Sequence, residues 1–255
     1  MDPWLITFIT AGDPSPSNTL DYMIALEKNS DIIELGLPFS DPMADGPTIQ
    51  KANVRALKAG TKVKDVFSIV KEFRDHSEKP VVLMTYYNLI YVKGVDNFVK
   101  EAKNCGINGM IVVDLPVEES SDYLKACEKY GMGTVFLAAP NTPEDRLKQI
   151  DKVSSIFVYL VSLYGTTGAR DKIPETAFNL IKRAKSICKK PVCVGFGVSK
   201  KEHVKELVNA GADGVVVGSA IVKIIEKYRE NAAEKLEEFT KELREGLKES
   251  LTQFR

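Results

Sequence analysis

Glu34 stands in an otherwise apolar run, Ile32-Ile33-Glu34-Leu35. A carboxylate there is costly to bury unless it is paired, hydrogen-bonded or protonated. Those conditions also lift a glutamate pKa toward values useful for proton transfer. The chain continues as Gly36-Leu37-Pro38-Phe39-Ser40-Asp41-Pro42-Met43-Ala44-Asp45-Gly46-Pro47, so Asp45 lies eleven residues on, at the far end of a proline-bounded loop able to fold back over the same mouth. A structural ion pair is the competing account of Glu34, and Asp41, before Pro42, also suits a plain turn. Two later segments suit an anion: Gly195-Phe196-Gly197-Val198-Ser199 and Gly218-Ser219-Ala220-Ile221-Val222. Glycines let backbone N–H groups approach an oxyanion, and a helix starting at Ser219 adds its N-terminal partial charge and a hydroxyl. The same glycines would also close tight turns. The stretch from Ser162 through Leu163-Tyr164-Gly165-Thr166-Thr167-Gly168-Ala169-Arg170 is polar and glycine-rich, and reads as a lid over a ligand. The two histidines, His76 and His203, fall at a helix end and a helix start, so acid–base work is left to carboxylates or tyrosine. Asp114, in Val112-Val113-Asp114-Leu115-Pro116, fits the anchoring of a neighbouring loop by hydrogen bonds.

These residues recur at the ends of short apolar runs. The runs are eight: 5–10, 32–35, 81–86, 110–113, 134–139, 156–161, 192–196 and 214–218. Most are continuously apolar, as strands buried on both faces are. Amphipathic helical patterns separate them, for example Val63, Val66, Phe67 and Val70, or Val204, Leu207 and Val208. Glycine stops at Gly106 and Gly211 end two such helices just before the next strand. Strict alternation implies parallel strands with right-handed crossovers, and eight units imply a closed α/β barrel, a (β/α)8 TIM barrel. An open doubly wound sheet is the alternative, but no glycine-rich dinucleotide turn follows the first run. Two segments stand outside the repeat: an extra helix over 48–59, after the second strand, and a helix over 232–253. The latter carries Leu236, Phe239, Leu243, Leu247 and Leu251 on one face and is expected to cover the barrel. In such barrels ligands bind at the C-terminal ends of the strands, with phosphate after strands seven and eight. Phe8, Met84, Tyr86, Ile111, Tyr159 and Phe196, all near strand ends, are candidate walls of a flat apolar pocket, although core packing is the plainer account of any one of them.

Bulk properties narrow the class. The 255 residues suit one barrel, and no linker divides them, so 1–255 is expected to form a single domain. Thirty-five basic and thirty-five acidic residues cancel, which argues against a general nucleic-acid binder or a polybasic membrane surface. The four cysteines, Cys105, Cys127, Cys188 and Cys193, are scattered without a Cys-x-x-Cys pair, so no metal site is expected and the thiols are expected free, in a cytoplasmic setting. No signal-like or membrane-spanning run is present.

Taken together, Thr10-Ala11-Gly12-Asp13-Pro14, the string from Glu34 to Pro42, Ala44-Asp45-Gly46-Pro47-Thr48-Ile49-Gln50, Met84-Thr85-Tyr86-Tyr87-Asn88, Asp114-Leu115-Pro116, Gly165-Thr166-Thr167-Gly168 and the two glycine segments resemble the tryptophan synthase α subunit family, along essentially the whole chain. The string after Glu34 is the most specific part; the glycine pairs are shared by several phosphate-binding barrels. The resemblance implies retro-aldol cleavage of indole-3-glycerol phosphate to indole and glyceraldehyde 3-phosphate. It implies Glu34 as the catalytic acid–base and Asp45 as the catalytic carboxylate at the indole N–H. It implies Phe8, Ile111 and Phe196 as indole walls, Tyr159 and Thr167 as lining residues, and Gly168, Gly197, Gly218 and Ser219 as the phosphate site. No cofactor is implied for this chain. The implied partner is a β subunit carrying pyridoxal phosphate, in an α2β2 heterotetramer that receives the indole for tryptophan synthesis. Two departures are visible. The first strand begins within a few residues of Met1, where the family commonly has a helix, and Thr166 stands where the family often has a branched apolar residue. Other accounts of the same residues are a sugar-phosphate isomerase or epimerase, a stand-alone indole-releasing lyase, and a ligand-binding activator without catalysis.

Overall fold

The computed structural model describes residues 2–162 and 172–252. Eight parallel strands close on themselves in chain order, each paired with its sequence neighbours and β8 with β1. They are β1 (Trp4–Thr10), β2 (Ile32–Gly36), β3 (Val81–Thr85), β4 (Gly109–Val112), β5 (Gly133–Ala138), β6 (Val158–Val161), β7 (Val192–Gly195) and β8 (Gly214–Val217). Each falls within two residues of the run that announces it at either end, because strands buried on both faces are written as unbroken apolar stretches. Helix α1 (Pro16–Glu27) follows β1; α2 (Pro47–Lys58) and α3 (Val63–Phe73) follow β2; α4 (Tyr87–Lys93) and α5 (Val95–Asn104) follow β3. Next come α6 (Ser121–Tyr130), α7 (Glu144–Val153), α8 (Glu175–Ile187) and α9 (Lys201–Asn209), one after each of β4 to β7. After β8 come α10 (Ser219–Tyr228) and α11 (Ala232–Thr252).

The interior of the barrel is a packed plug. Ile6, Ile32, Val82, Ile111, Val135, Phe157, Cys193 and Val216 form one buried cluster, with a residue from each strand or, for Phe157, from the position just ahead of β6. The opposite parity on the strands faces the helices and builds the larger core, to which Leu5, Ile33, Leu83, Met110 and Val194 belong. That division is the period of two of a β-strand wrapped into a cylinder.

Helix α11 is not a cover over the barrel end. It packs against α9 on one side and α1 on the other, and so fills the place in the outer ring after β8. Leu236, Leu243 and Leu247 are buried there, Phe239 is partly buried, and the side chain of Leu251 lies outside the described residues. Arg244 fastens α11 to the turn after α1, bonding the Asn29 carbonyl at 2.8 Å and the Asp31 carboxylate at 2.8 Å. Helix α10 is left free of that duty and packs against β1 and α2. Among the described residues no helix is long and apolar enough to cross a membrane.

Candidate active site

Two residues beyond the interior plug, each strand presents its next inward position: Phe8, Glu34, Met84, Val113, Leu137, Tyr159, Gly195 and Gly218. All eight line one cavity of about 550 Å³ at the C-terminal mouth of the barrel. The register sets Phe8 opposite Glu34, whereas on β3 Glu34 faces Val82 of the plug, so the ring steps in level from strand to strand. Glu34 is therefore inward by parity and sits at mouth level because β2 is in step with β1.

Glu34 is buried, 1% exposed, and among the described residues its Oε2 has no hydrogen-bond partner. Burial first, and the nearby Asp45 charge second, push its pKa up to about 8. Asp45 reaches the same cavity because the β2–α2 loop folds inward. Turns within the loop close through Met43 N–H to Asp41 O (2.8 Å) and Asp45 N–H to Pro42 O (3.1 Å). Asn53 on α2 takes the Phe39 N–H at 2.8 Å and holds the loop's root to that helix. Burial lifts the Asp45 pKa to about 6, against the pull of a hydrogen bond from the Tyr86 hydroxyl to Oδ2 at 3.1 Å. That hydroxyl accepts the Ala44 N–H at 3.1 Å, and the Tyr86 ring stacks on Phe39 with centroids 4.9 Å apart. Tyr86 thus orients the loop and its carboxylate together. Asp114 does what its position suggests: its Oδ1 takes the Tyr87 N–H at 2.7 Å, satisfying a free donor at the start of α4.

At the other side of the mouth, Gly197, Gly218 and Ser219 line the cavity, and Ser219 opens α10, whose first-turn N–H groups have no intrahelical acceptor. Gly197 has φ +72°, a left-handed turn that favours glycine. Gly195 is required by contact: a Cβ there would lie 2.8 Å from the Tyr159 hydroxyl oxygen. Tyr159 crosses the mouth over that gap, beside Glu34, and burial holds its phenol neutral.

The structure brings together Phe8, Glu34, Asp45, Tyr159, Gly197, Gly218 and Ser219 around this cavity. It does not bring Ile111 or Phe196 to the cavity wall. Ile111 is inward but belongs to the plug one level below, so Val113, just after β4, takes the wall position. Phe196 lies between two inward glycines and points outward into the core beneath the helices, where it is 2% exposed. Thr167 and Gly168, with the rest of the proposed lid over 163–170, lie outside the described residues. His203 is buried in α9, with Nδ1 facing the Ser199 N–H at 3.4 Å, and is not on the cavity wall. Val113 and Leu137 are not distinguished by the sequence alone; each stands two residues beyond a plug residue, Ile111 and Val135, and so shares its inward parity.

A closed parallel barrel with the carboxylates of Glu34 and Asp45 and a glycine-lined, helix-capped rim at its mouth defines a class: an αβ-barrel protein built to hold a small ligand with an anionic end. Comparison with known proteins sharpens it. The family model described as tryptophan synthase alpha chain matches residues 2–251, and this chain belongs to that family. The tryptophan synthase alpha chain of Pyrococcus abyssi is 61% identical over 242 residues, 95% of this chain and 98% of that one. That of Archaeoglobus fulgidus is 55% identical over 248 residues, 97% of this chain and 99% of its own. Among solved structures, a chain from work on mutual activation of the tryptophan synthase α2β2 complex of Pyrococcus furiosus superposes with a TM-score of 0.91 at 54% identity, covering 95% of this chain and 99% of that one.

Proposed function

We propose that this chain cleaves indole-3-glycerol phosphate to indole and glyceraldehyde 3-phosphate, as the α subunit of a tryptophan synthase. The observation that carries the chemistry is the pairing of a buried, proton-holding Glu34 with a more acidic Asp45 in one cavity. Breaking the bond between indole C3 and the glycerol chain needs the ring to accept the bonding electrons. Glu34, neutral at pH 7, gives its proton to C3, and positive charge develops at the ring nitrogen. Asp45, as an anion, accepts the indole N–H and stabilises that charge. The C–C pair then returns to the ring, the adjacent hydroxyl becomes the aldehyde, and its proton goes back to Glu34. No net proton is consumed, and this chain needs no cofactor for the step.

Phe8, Met84, Val113, Leu137 and Tyr159 offer an apolar slot for the ring, while Gly197, Gly218, Ser219 and the first turn of α10 offer N–H and hydroxyl donors for the phosphate. Gly168 is proposed to complete the phosphate site, and Thr167 to line the ligand from the lid. Ile111 acts through the plug that supports the slot, and Phe196 through the core behind β7.

The proposed partner is a β subunit that carries pyridoxal phosphate and consumes the indole within an α2β2 assembly. Large apolar side chains support a docking face at the same rim. Met43, in the loop that carries Asp45, is 83% exposed, and Tyr91 and Val92 on α4 are 68% and 77% exposed. The chain is read as one domain over 1–255, working in the cytoplasm.

The test is indole release from indole-3-glycerol phosphate, with and without a tryptophan synthase β subunit, beside a Glu34→Gln variant. Weak release by the chain alone that rises with the β subunit and vanishes in the variant is expected. Release unaffected by the β subunit points to a stand-alone lyase. No release from folded protein under either condition rejects the assignment.

A further inference from the structure

Arg55, on α2, does not line the cavity but ties together three segments that do. Its Nε and one terminal nitrogen bond the two oxygens of Asp13, each at 2.7 Å, and its other terminal nitrogen reaches Glu226 Oε1 at 3.0 Å. Asp13 is buried, 1% exposed, whereas Glu226 is about half exposed. Asp13 follows β1, the strand of Phe8. Arg55 lies on α2, which begins two residues after Asp45. Glu226 lies on α10, which begins at Ser219. Beneath the ionic strut, Phe8, Ile49, Ala52 and Val222 pack as one cluster across the same three elements. Apolar contacts tolerate sliding; a planar guanidinium gripping a carboxylate with two bonds fixes both distance and angle.

We propose that Arg55 is a positioning residue that sets the spacing between the carboxylate end of the cavity, at Glu34 and Asp45, and its anion-facing end, at Gly218 and Ser219. The inference rests on the function proposed above, since it requires one ligand to reach both ends. A ligand that touches one end is blind to the spacing. A ligand that bridges them loses affinity when the ends drift, because its second contact no longer falls into place once the first is made.

Wild type, Arg55→Lys and Glu226→Ala are compared by calorimetry with three probes: indole, glycerol 3-phosphate, and indole-3-propanol phosphate, which carries both groups but lacks the hydroxyl that cleavage would turn into an aldehyde. Steady-state kcat and KM for indole-3-glycerol phosphate are measured alongside. Arg55→Lys keeps the charge but not the fork; Glu226→Ala leaves the Asp13 pair in place and removes only the tie to α10. Arg55→Lys is expected to weaken the bridging probe roughly tenfold, and Glu226→Ala by less, with both single-ended probes held within about twofold. The turnover loss should match the loss of the bridging probe. Equal weakening of all three probes would mean general loosening and overturn the proposal, as would an unchanged bridging probe. If wild type binds the bridging probe no more tightly than its two pieces, the functional reading fails first, a result separate from a failure of the variants alone.

Discussion

Replacing Glu34 by glutamine is expected to abolish turnover and to stabilise the protein, with a gain that depends on pH in a defined way. Glu34 is buried beside Asp45, and its pKa is pushed from an ordinary 4.5 up to about 8. Between those values the folded chain holds a proton that the unfolded chain has released. Folding therefore takes up a proton, and stability falls as pH rises from about 4.5 to about 8, by about 1.4 kcal/mol per pH unit where the difference is complete. By pH 7 the accumulated penalty is about 3 kcal/mol, and it levels off above pH 8. Glutamine has nearly the same shape and no charge to desolvate, so it escapes this penalty. Its amide has the same shortage of partners that leaves Oε2 unbonded among the described residues, which adds an offset that does not vary with pH. The assay is urea unfolding of both proteins from pH 4 to pH 9, plotted as the difference in unfolding free energy. The difference should be flat near pH 4, climb in favour of the variant, and flatten again by pH 9. At pH 7 the matching rise in Tm is roughly 2–4 °C per kcal/mol for a chain of this size. A difference that does not change with pH would show that Glu34 ionises alike in both states, and would refute the neutral, proton-donating glutamate on which the proposed reaction depends.

The rate should follow the same two carboxylates. kcat/KM is expected to rise as Asp45 ionises near pH 6 and to fall as Glu34 loses its proton near pH 8, and a pH profile without the upper limb in a Glu34-dependent reaction would contradict the assignment. Tyr86→Phe removes the hydrogen bond that lowers the Asp45 pKa, so the acid limb should move to higher pH and kcat/KM at pH 7 should drop roughly two- to tenfold; a profile with an unmoved acid limb counts against Tyr86 as the group that holds Asp45. Gly195→Ala drives a methyl against the Tyr159 ring, and should cost about 1–3 kcal/mol of stability together with a raised KM, read by denaturation and steady-state kinetics; a neutral effect would show that Tyr159 moves freely.

The barrel itself was legible from sequence because each strand is buried on both faces and so appears as an unbroken apolar run between amphipathic helices. Glu34 was legible for the converse reason: a carboxylate within such a run is a local cost that only pairing, protonation or function explains. Asp114 showed its anchoring role through its place at the end of a strand. Phe196 shows the limit of that reading. An aromatic residue between two glycines at a strand end looks like a pocket wall, yet one step of parity turns it away from the cavity. Ile111 has the right parity and the wrong level, because depth within the barrel is set by how β4 is staggered against β3 and β5, which no local pattern records.

What the sequence determined by itself is the set of eight βα units, the carboxylates available for chemistry, and the glycines at which the chain can turn beside a ligand. These are local properties: periodicity, burial cost and backbone freedom are written within a few neighbouring residues. The tertiary structure alone decided which inward ring forms the floor of the cavity, that Tyr86 bonds Asp45 from 41 residues away, that Arg55 joins Asp13, 42 residues before it, to Glu226, 171 residues after it, and that α11 completes the outer ring beside α1. Each depends on strand register and closure of the barrel, which place side chains far apart in sequence at hydrogen-bonding distance.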